Sequence, residues 1–153
     1  VLRQCDTDIV RKSMADAISS VDAVLSLACG VGVQTLAYVF PDKPIYPANN
    51  TMFITMEDKE KGVLNEWCVA CGDCLLHETG GICPIARCAK SLLNGPCGGY
   101  SKGKCEVGGW VNDCAWVLIF NRLKERGRLD LFTKVRLPRD YRVSQGPRQI
   151  RRE

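Results

Sequence analysis

The sequence predicts an α/β chain: a small Rossmann-like parallel-sheet unit followed by a cysteine-rich metal-cluster module with a C-terminal helix and basic tail. Two observations carry that expectation. Apolar runs alternate with helical periodicities as far as Pro47, and eight of the ten cysteines then crowd between Cys68 and Cys114. At 153 residues there is room for a modest α/β core plus a module held together by metal instead of by a large apolar interior. The expected boundaries are residues 1–60, 61–130 and 131–153.

Val1 to Gln4 reads as the end of a strand, with further upstream residues expected in the natural protein. Cys5-Asp6-Thr7-Asp8 then supplies N-cap residue types, and Val10, Met14, Ala17, Ile18 and Val21 recur on one helical face. Asp22 to Ala28 is a short, nearly all-apolar run of the kind a parallel strand buried on both faces shows. It ends in Cys29-Gly30-Val31-Gly32, after which Val33 to Phe40 continues as helix until Pro41, and Pro44 to Pro47 forms another strand end. The order β-α-β-α-β is that of a doubly wound unit.

Cys5 and Cys29 both fall where a strand gives way to a helix, the rim at which such sheets gather their functional groups. They are candidates for a third metal or redox site, against the plainer reading of two small residues at tight turns. The lone GxG at Gly30 and Gly32 lacks the third glycine and the acidic ribose reader of a dinucleotide site. Met52 to Met56 reads as one last short strand, and Glu57 to Gly62 as a solvated charged link.

The cysteines follow two patterns. Cys68-x2-Cys71-x2-Cys74-x8-Cys83-Pro84 puts three sulfurs within a turn or two of backbone, and Gly80-Gly81 gives the bend that returns a fourth. Thiolates that close in sequence suit a shared cation better than a disulfide framework, and even two-residue gaps favour a 4Fe-4S cluster over zinc. Cys88-x8-Cys97-x7-Cys105-x8-Cys114 has no CxxC pair, so its spacing fits a second 4Fe-4S cluster or a zinc ion equally. Pro84 to Leu93 reads as a helix with proline at its first position, carrying Cys88 between the quartets. His77, the only histidine, is a weak ligand candidate beside the first quartet.

Asp113 to Arg126 has the clearest helical signal: Trp116, Ile119, Phe120 and Leu123 form one stripe, with Asn112 or Asp113 as cap and Gly127 as stop. Beyond it, Lys134 to Glu153 holds seven basic and two acidic residues. With a single aromatic, Tyr141, that tail lacks the basic and aromatic interleaving of a nucleic-acid binder and reads as an extended arm. No apolar run approaches the ~20 residues of a membrane helix, and the start shows no secretory signal, so a cytoplasmic protein with no membrane span is expected.

Several blocks resemble one family. Gly80-Gly81-Ile82-Cys83-Pro84, Cys88-Ala89-Lys90, Asn94-Gly95-Pro96-Cys97-Gly98-Gly99, Lys104-Cys105-Glu106 and Asp113-Cys114-Ala115-Trp116 are similar to the cysteine-rich C-terminal domain associated with methylenetetrahydrofolate reductase. That domain also occurs as a small subunit of acetogen-type enzymes, whose N-terminal half Ser26 to Thr35 resembles, and which carries additional sequence with further cysteines ahead of the position of Val1. The resemblance implies an accessory subunit that is not catalytic by itself. Its partner would be a flavin-bearing reductase subunit that forms 5-methyltetrahydrofolate, with further electron-transfer subunits in the assembly. On this reading Cys68, Cys71, Cys74 and Cys83 hold one cluster, Cys88, Cys97, Cys105 and Cys114 hold a second cluster or zinc, and the module relays electrons to or from the partner's flavin. The alternative is a non-redox zinc module that docks and stabilises the reductase.

Overall fold

The computed structural model describes residues 3–52, 54–144 and Gly146. The chain divides into two compact units, the first ending at Met52.

In the first unit, helix α1 (Thr7–Ser19) starts where Asp6 accepts hydrogen bonds from the amides of Asp8 and Ile9 at 3.1 and 3.2 Å. That satisfies two of the donors a helix start leaves orphaned. Strand β1 (Val24–Ser26), helix α2 (Gly30–Val39) and strand β2 (Ile45–Pro47) follow, and the two strands pair in parallel with Val24 opposite Ile45. Val10, Ile18 and Leu36 form the buried core, with Met14, Val24, Val39, Phe40 and Ile45 against it.

The predicted first strand falls partly on Val1 and Leu2, outside the described residues; Gln4 itself lies in a turn. Burial on both faces does not hold for the second run. Leu25 is 65 % exposed and Leu27 76 %, because the core takes only the face of β1 that carries Val24, and Leu25 points the other way under the two-residue alternation of a strand.

The second unit opens with an antiparallel hairpin, β3 (Ile54–Asp58) and β4 (Val63–Cys68), in which Asp58 faces Val63 and Thr55 faces Glu66, with an irregularity beside Ile54. Glu57 to Gly62, expected as a charged link, is therefore the end of β3 and its turn. Asp58 accepts the Lys61 amide at 3.2 Å and Gly62 takes φ +64°. Exposure of nearly every residue in the ladder explains the disguise: with little of either strand buried, no apolar alternation was needed. Because β4 ends at Cys68, the hairpin belongs with the cysteines.

Helix α3 spans only Pro84–Arg87; the run to Leu93 expected as helix stops at Cys88, and Ser91 takes φ +48°. Helix α4 (Ala115–Glu125) carries the core of this unit. Trp116, Ile119 and Leu123 are all but fully buried with Ile82 and Cys114, each contributing about 2–3 kcal/mol of burial. The Trp116 indole donates to Leu92 O at 2.9 Å, and Phe132 of α5 (Leu129–Thr133) meets Trp116 and Phe120 edge-on at 5.9 and 5.3 Å. The helix cap is Cys114 rather than Asn112 or Asp113, and Gly127 ends the helix at φ +65° as its position predicted.

After Thr133 the backbone does not leave the module as an arm. Arg136 is buried and ion-paired to buried Glu78 at 2.8 Å, while its guanidinium also donates to the carbonyls of Leu93 and Leu131 at 3.2 and 3.1 Å. Asn94 clamps the Arg136 backbone from both sides, at 2.7 and 2.9 Å. Residues 145 and 147–153 lie outside the described residues. Among the described residues, no helix is long and apolar enough to cross a membrane.

Candidate metal centre

The first quartet sits on an irregular loop whose backbone turns toward sulfur. Cys68 closes β4, and its Sγ accepts the Ala70 amide at 3.4 Å. Ala70 and Gly72 take φ +49° and +80°, so the loop reverses hand between Cys68 and Cys71 and again before Cys74; for Ala70 that conformation costs about 1 kcal/mol. Gly80 and Gly81 then take φ +63° and +87°, and Gly81 N donates to Leu76 O at 2.9 Å, giving the expected bend that returns the chain to Cys83. Gly80 has a second reason to be glycine: a Cβ there would lie 2.8 Å from Arg122 Cγ. Cys83 caps α3, its Sγ accepting the Ala86 amide at 3.5 Å. Amide donors of this kind stabilise thiolates and tune whatever they ligate.

A residue with no signal in its sequence context holds this loop. Arg139 is 3 % exposed at its side chain and donates to Asp73 O at 2.9 Å and Cys71 O at 3.3 Å. Its Nε is the one buried side-chain nitrogen or oxygen without a hydrogen-bond partner among the described residues. An unpaired donor in a guanidinium lying on the CxxCxxC backbone fits a loop that has an anionic group to receive.

The second quartet converges more visibly. Cys88, Cys97, Cys105 and Cys114 line one small, largely enclosed cavity, together with Arg87, Lys90 and Trp116. Cys88 ends α3 and the buried Cys114 begins α4. Between them Cys105 N donates to Asn112 O and Cys114 N to Gly103 O, both at 2.8 Å, and bridges join Lys104 to Ser101 and Asp113. Lys90 Nζ lies 3.6 Å from Cys97 Sγ and is ion-paired with Glu106, whose carboxylate is 3.7 Å from the same sulfur. The bond to Glu106 raises the Lys90 pKa, and the bond to Lys90 lowers that of Glu106, so both stay charged beside Cys97. Gly99 accommodates this pair: a Cβ there would fall 1.9 Å from Glu106 Cδ.

Cys5 and Cys29, both exposed, line a common cleft of about 570 Å³ in the first unit. Among the described residues, no third ligand joins them in a group that could hold a metal ion. The nearby GxG has structural duties instead. Gly30 N already donates to Thr51 Oγ1 at 2.7 Å, and a Cβ at Gly32 would meet Ala28 Cβ at 2.8 Å. His77 is 77 % exposed at its side chain, with its Nε2 3.8 Å from Glu78 Oε1.

All ten cysteines are free thiols. As the side chains stand, no three His, Cys, Asp or Glu among the described residues close on a single point as a metal ion requires. The backbone nonetheless gathers four thiols at one cavity and directs amides and a guanidinium to the loop of the other four. That donor set fits thiophilic metal: soft sulfur, backbone N–H groups and nearby cations, while the Glu106 carboxylate beside Cys97 is engaged by Lys90.

Residues 46–142 match the model of a family described as methylene-tetrahydrofolate reductase C terminal. The match begins within β2 and takes in all eight cysteines of the two quartets. No curated protein and no solved structure matches the chain.

Proposed function

The chain belongs to the methylene-tetrahydrofolate reductase C-terminal family, and from that we propose that it is an accessory subunit of such a reductase, carrying iron-sulfur clusters that pass electrons to or from a flavin-bearing catalytic partner. The observation that carries the reading is that Cys88, Cys97, Cys105 and Cys114 line one cavity, with the four-residue helix α3 joining Cys88 to Cys83 of the first quartet. Bound at such sites, a 4Fe-4S cluster supplies one-electron redox chemistry.

The chain's own residues would hold and bias that chemistry. Four thiolates around one centre concentrate negative charge, and Lys90 beside Cys97, Arg87 at the same cavity and Arg139 on the first loop are placed to offset it. The amides of Ala70 and Ala86 donate to Cys68 and Cys83. Since α3 has Cys83 as one cap and Cys88 as the other, four residues of rigid backbone link the sites. The parallel pair of β1 and β2 with α2 between them supports reading the first unit as part of a Rossmann-like sheet, where Cys5 and Cys29 would complete a third site only with sulfur from elsewhere.

A second reading has its own support. Cys114 is buried and the second cavity is small and largely enclosed, an environment that suits a structural zinc held by four protein ligands. Metal and sulfide analysis of anaerobically purified protein separates the two. The two-cluster reading expects about eight iron and eight sulfide per chain and EPR signals on reduction; the mixed reading expects about four of each and one zinc. Zinc without iron leaves no relay and favours a docking module that stabilises the reductase.

A further inference from the structure

We infer that Trp67, Arg87 and Arg122 form a docking cleft for an acidic segment of the partner protein, beside the first quartet. The inference rests on the accessory-subunit reading above and adds where the partner binds. The cleft holds about 230 Å³ and is lined by Trp67, Leu76, Ile82, Cys83, Arg87 and Arg122. Three separate elements supply it: β4 ends one residue after Trp67, α3 ends at Arg87, and Arg122 projects from α4 over Gly80.

Charge is the reason to read the cleft as a site. Several carboxylates of this unit already have cationic partners: Asp73 with Arg139, Glu78 with Lys134 and Arg136, Glu106 with Lys90, Asp113 with Lys104. Asp130 and Asp140 are likewise taken by Arg128 and Arg142. Arg87 and Arg122 have no carboxylate partner among the described residues, yet they share one cleft. Arg87 stacks on the Trp67 indole at 5.3 Å, which orients the guanidinium without neutralising it.

Size and rim then select the occupant. The volume lies below the ~300 Å³ at which small-molecule sites begin, too small for a nucleotide but adequate for a carboxylate side chain and its neighbours. Trp67 is 44 % and Leu76 40 % exposed at the mouth, and tryptophan, arginine and aliphatic groups around an excluded pocket are the composition of protein-interface hot spots. An acidic segment seated there would lie against Cys83, within the loop proposed to carry electrons.

The test measures binding of metal-loaded full chain to the flavin-bearing reductase subunit, for wild type, Arg122→Glu, and a control with Lys124→Glu and Arg126→Glu on the same helix outside the cleft. Arg122→Glu is expected to weaken Kd by about 30-fold or more, the low end for losing one member of a desolvated charge pair, with iron content and EPR spectrum unchanged. The control is expected to change Kd less than about threefold, as rim charges do. Wild-type affinity in Arg122→Glu, or an equal loss in the control, overturns the cleft and leaves the electron-relay reading intact. An iron-free wild type that still binds and loses binding on Arg122→Glu supports the cleft while removing the relay. A wild type that does not bind the reductase overturns both. Inorganic pyrophosphate binding at micromolar Kd to wild type and not to Arg122→Glu would mark a small-anion pocket and overturn the docking proposal.

Discussion

Arg139 donates to the carbonyl of Asp73 at 2.9 Å across 66 residues of sequence, and the same guanidinium reaches Cys71 O at 3.3 Å. The last described stretch of the chain thereby fastens the loop that presents Cys68, Cys71 and Cys74. Removing it frees two carbonyls that a charged donor satisfies, at a cost of about 2 kcal/mol. Arg139→Met is therefore expected to lower iron occupancy of the first quartet, from about eight to about four iron per chain, while the second quartet keeps its metal. Arg139→Lys should not restore it, since an ammonium cannot bridge two acceptors as a planar fork does. Full iron content in Arg139→Met, with an unchanged unfolding temperature, would show the clamp to be idle.

Glu78 and Arg136 make the corresponding prediction for stability. Both are buried, and Lys134 first, then Arg136, hold the Glu78 carboxyl below its ordinary value of 4.5; the exposed His77 is the other titratable group facing it, at 3.8 Å. A depressed folded pKa contributes stability that is fully present above the unfolded value and lost as pH falls through the folded one. Glu78→Gln, which strands a buried guanidinium, is expected to cost about 3 kcal/mol at neutral pH. Denaturant titrations at descending pH should show the gap to wild type closing below about pH 4.5. A gap of constant size down to pH 3 would show that Glu78 acts through packing alone.

Glycine 32 tests the reading of the GxG turn in the first unit. With Ala28 Cβ 2.8 Å and Gln4 Cβ 3.2 Å from the place of its missing side chain, Gly32→Ala forces backbone or strand to move, at a cost of about 1–3 kcal/mol. Gly30→Ala meets only Thr51 Oγ1 at 3.6 Å and should be nearly neutral. Urea unfolding of the two variants is the measurement. Similar stability in both, with altered nucleotide or flavin binding instead, would return the turn to a phosphate-binding role.

How much of this was legible beforehand depended on burial. The stripe Trp116, Ile119, Leu123 announced α4 because those side chains fill the core, and Asp6 announced α1 because a helix start needs acceptors. The Gly80-Gly81 bend was readable because positive φ selects glycine. The strand over Met52 to Met56 was half legible, since β3 runs Ile54–Asp58, but its partner β4 was not, because the exposed ladder permits Glu57, Asp58 and Glu66 on either face. The burial of Arg136 and Arg139 was equally hidden: a cationic residue looks the same in sequence whether its partner is water or a carboxylate 58 residues away. For the candidate site, cysteine spacing singled out the thiols as candidates, whereas the cations around them, Lys90, Arg87 and Arg139, could be named only once the chain was folded.

Gly98 and Gly99 offer the sharpest test of the second quartet, because the two neighbours differ in a single respect. A Cβ at Gly98 meets nothing within 4 Å, while one at Gly99 lands 1.9 Å from Glu106 Cδ. Glu106 cannot step aside freely, being paired to Lys90, and Lys90 in turn reaches Cys97 Sγ. Gly99→Ala therefore has to displace the carboxylate and with it the cation beside the thiolate. Groups of this kind around a metal ligand are worth about 10- to 100-fold in metal affinity. Competition with a chelator should show the second-site metal of Gly99→Ala leaving at roughly that factor lower chelator concentration than in Gly98→Ala, with the Cys68 loop unaffected in both. Equal retention by the two variants would mean that the Lys90–Glu106 pair is a surface ion pair that happens to lie near Cys97, and the charge compensation proposed for this site would have to come from Arg87 alone.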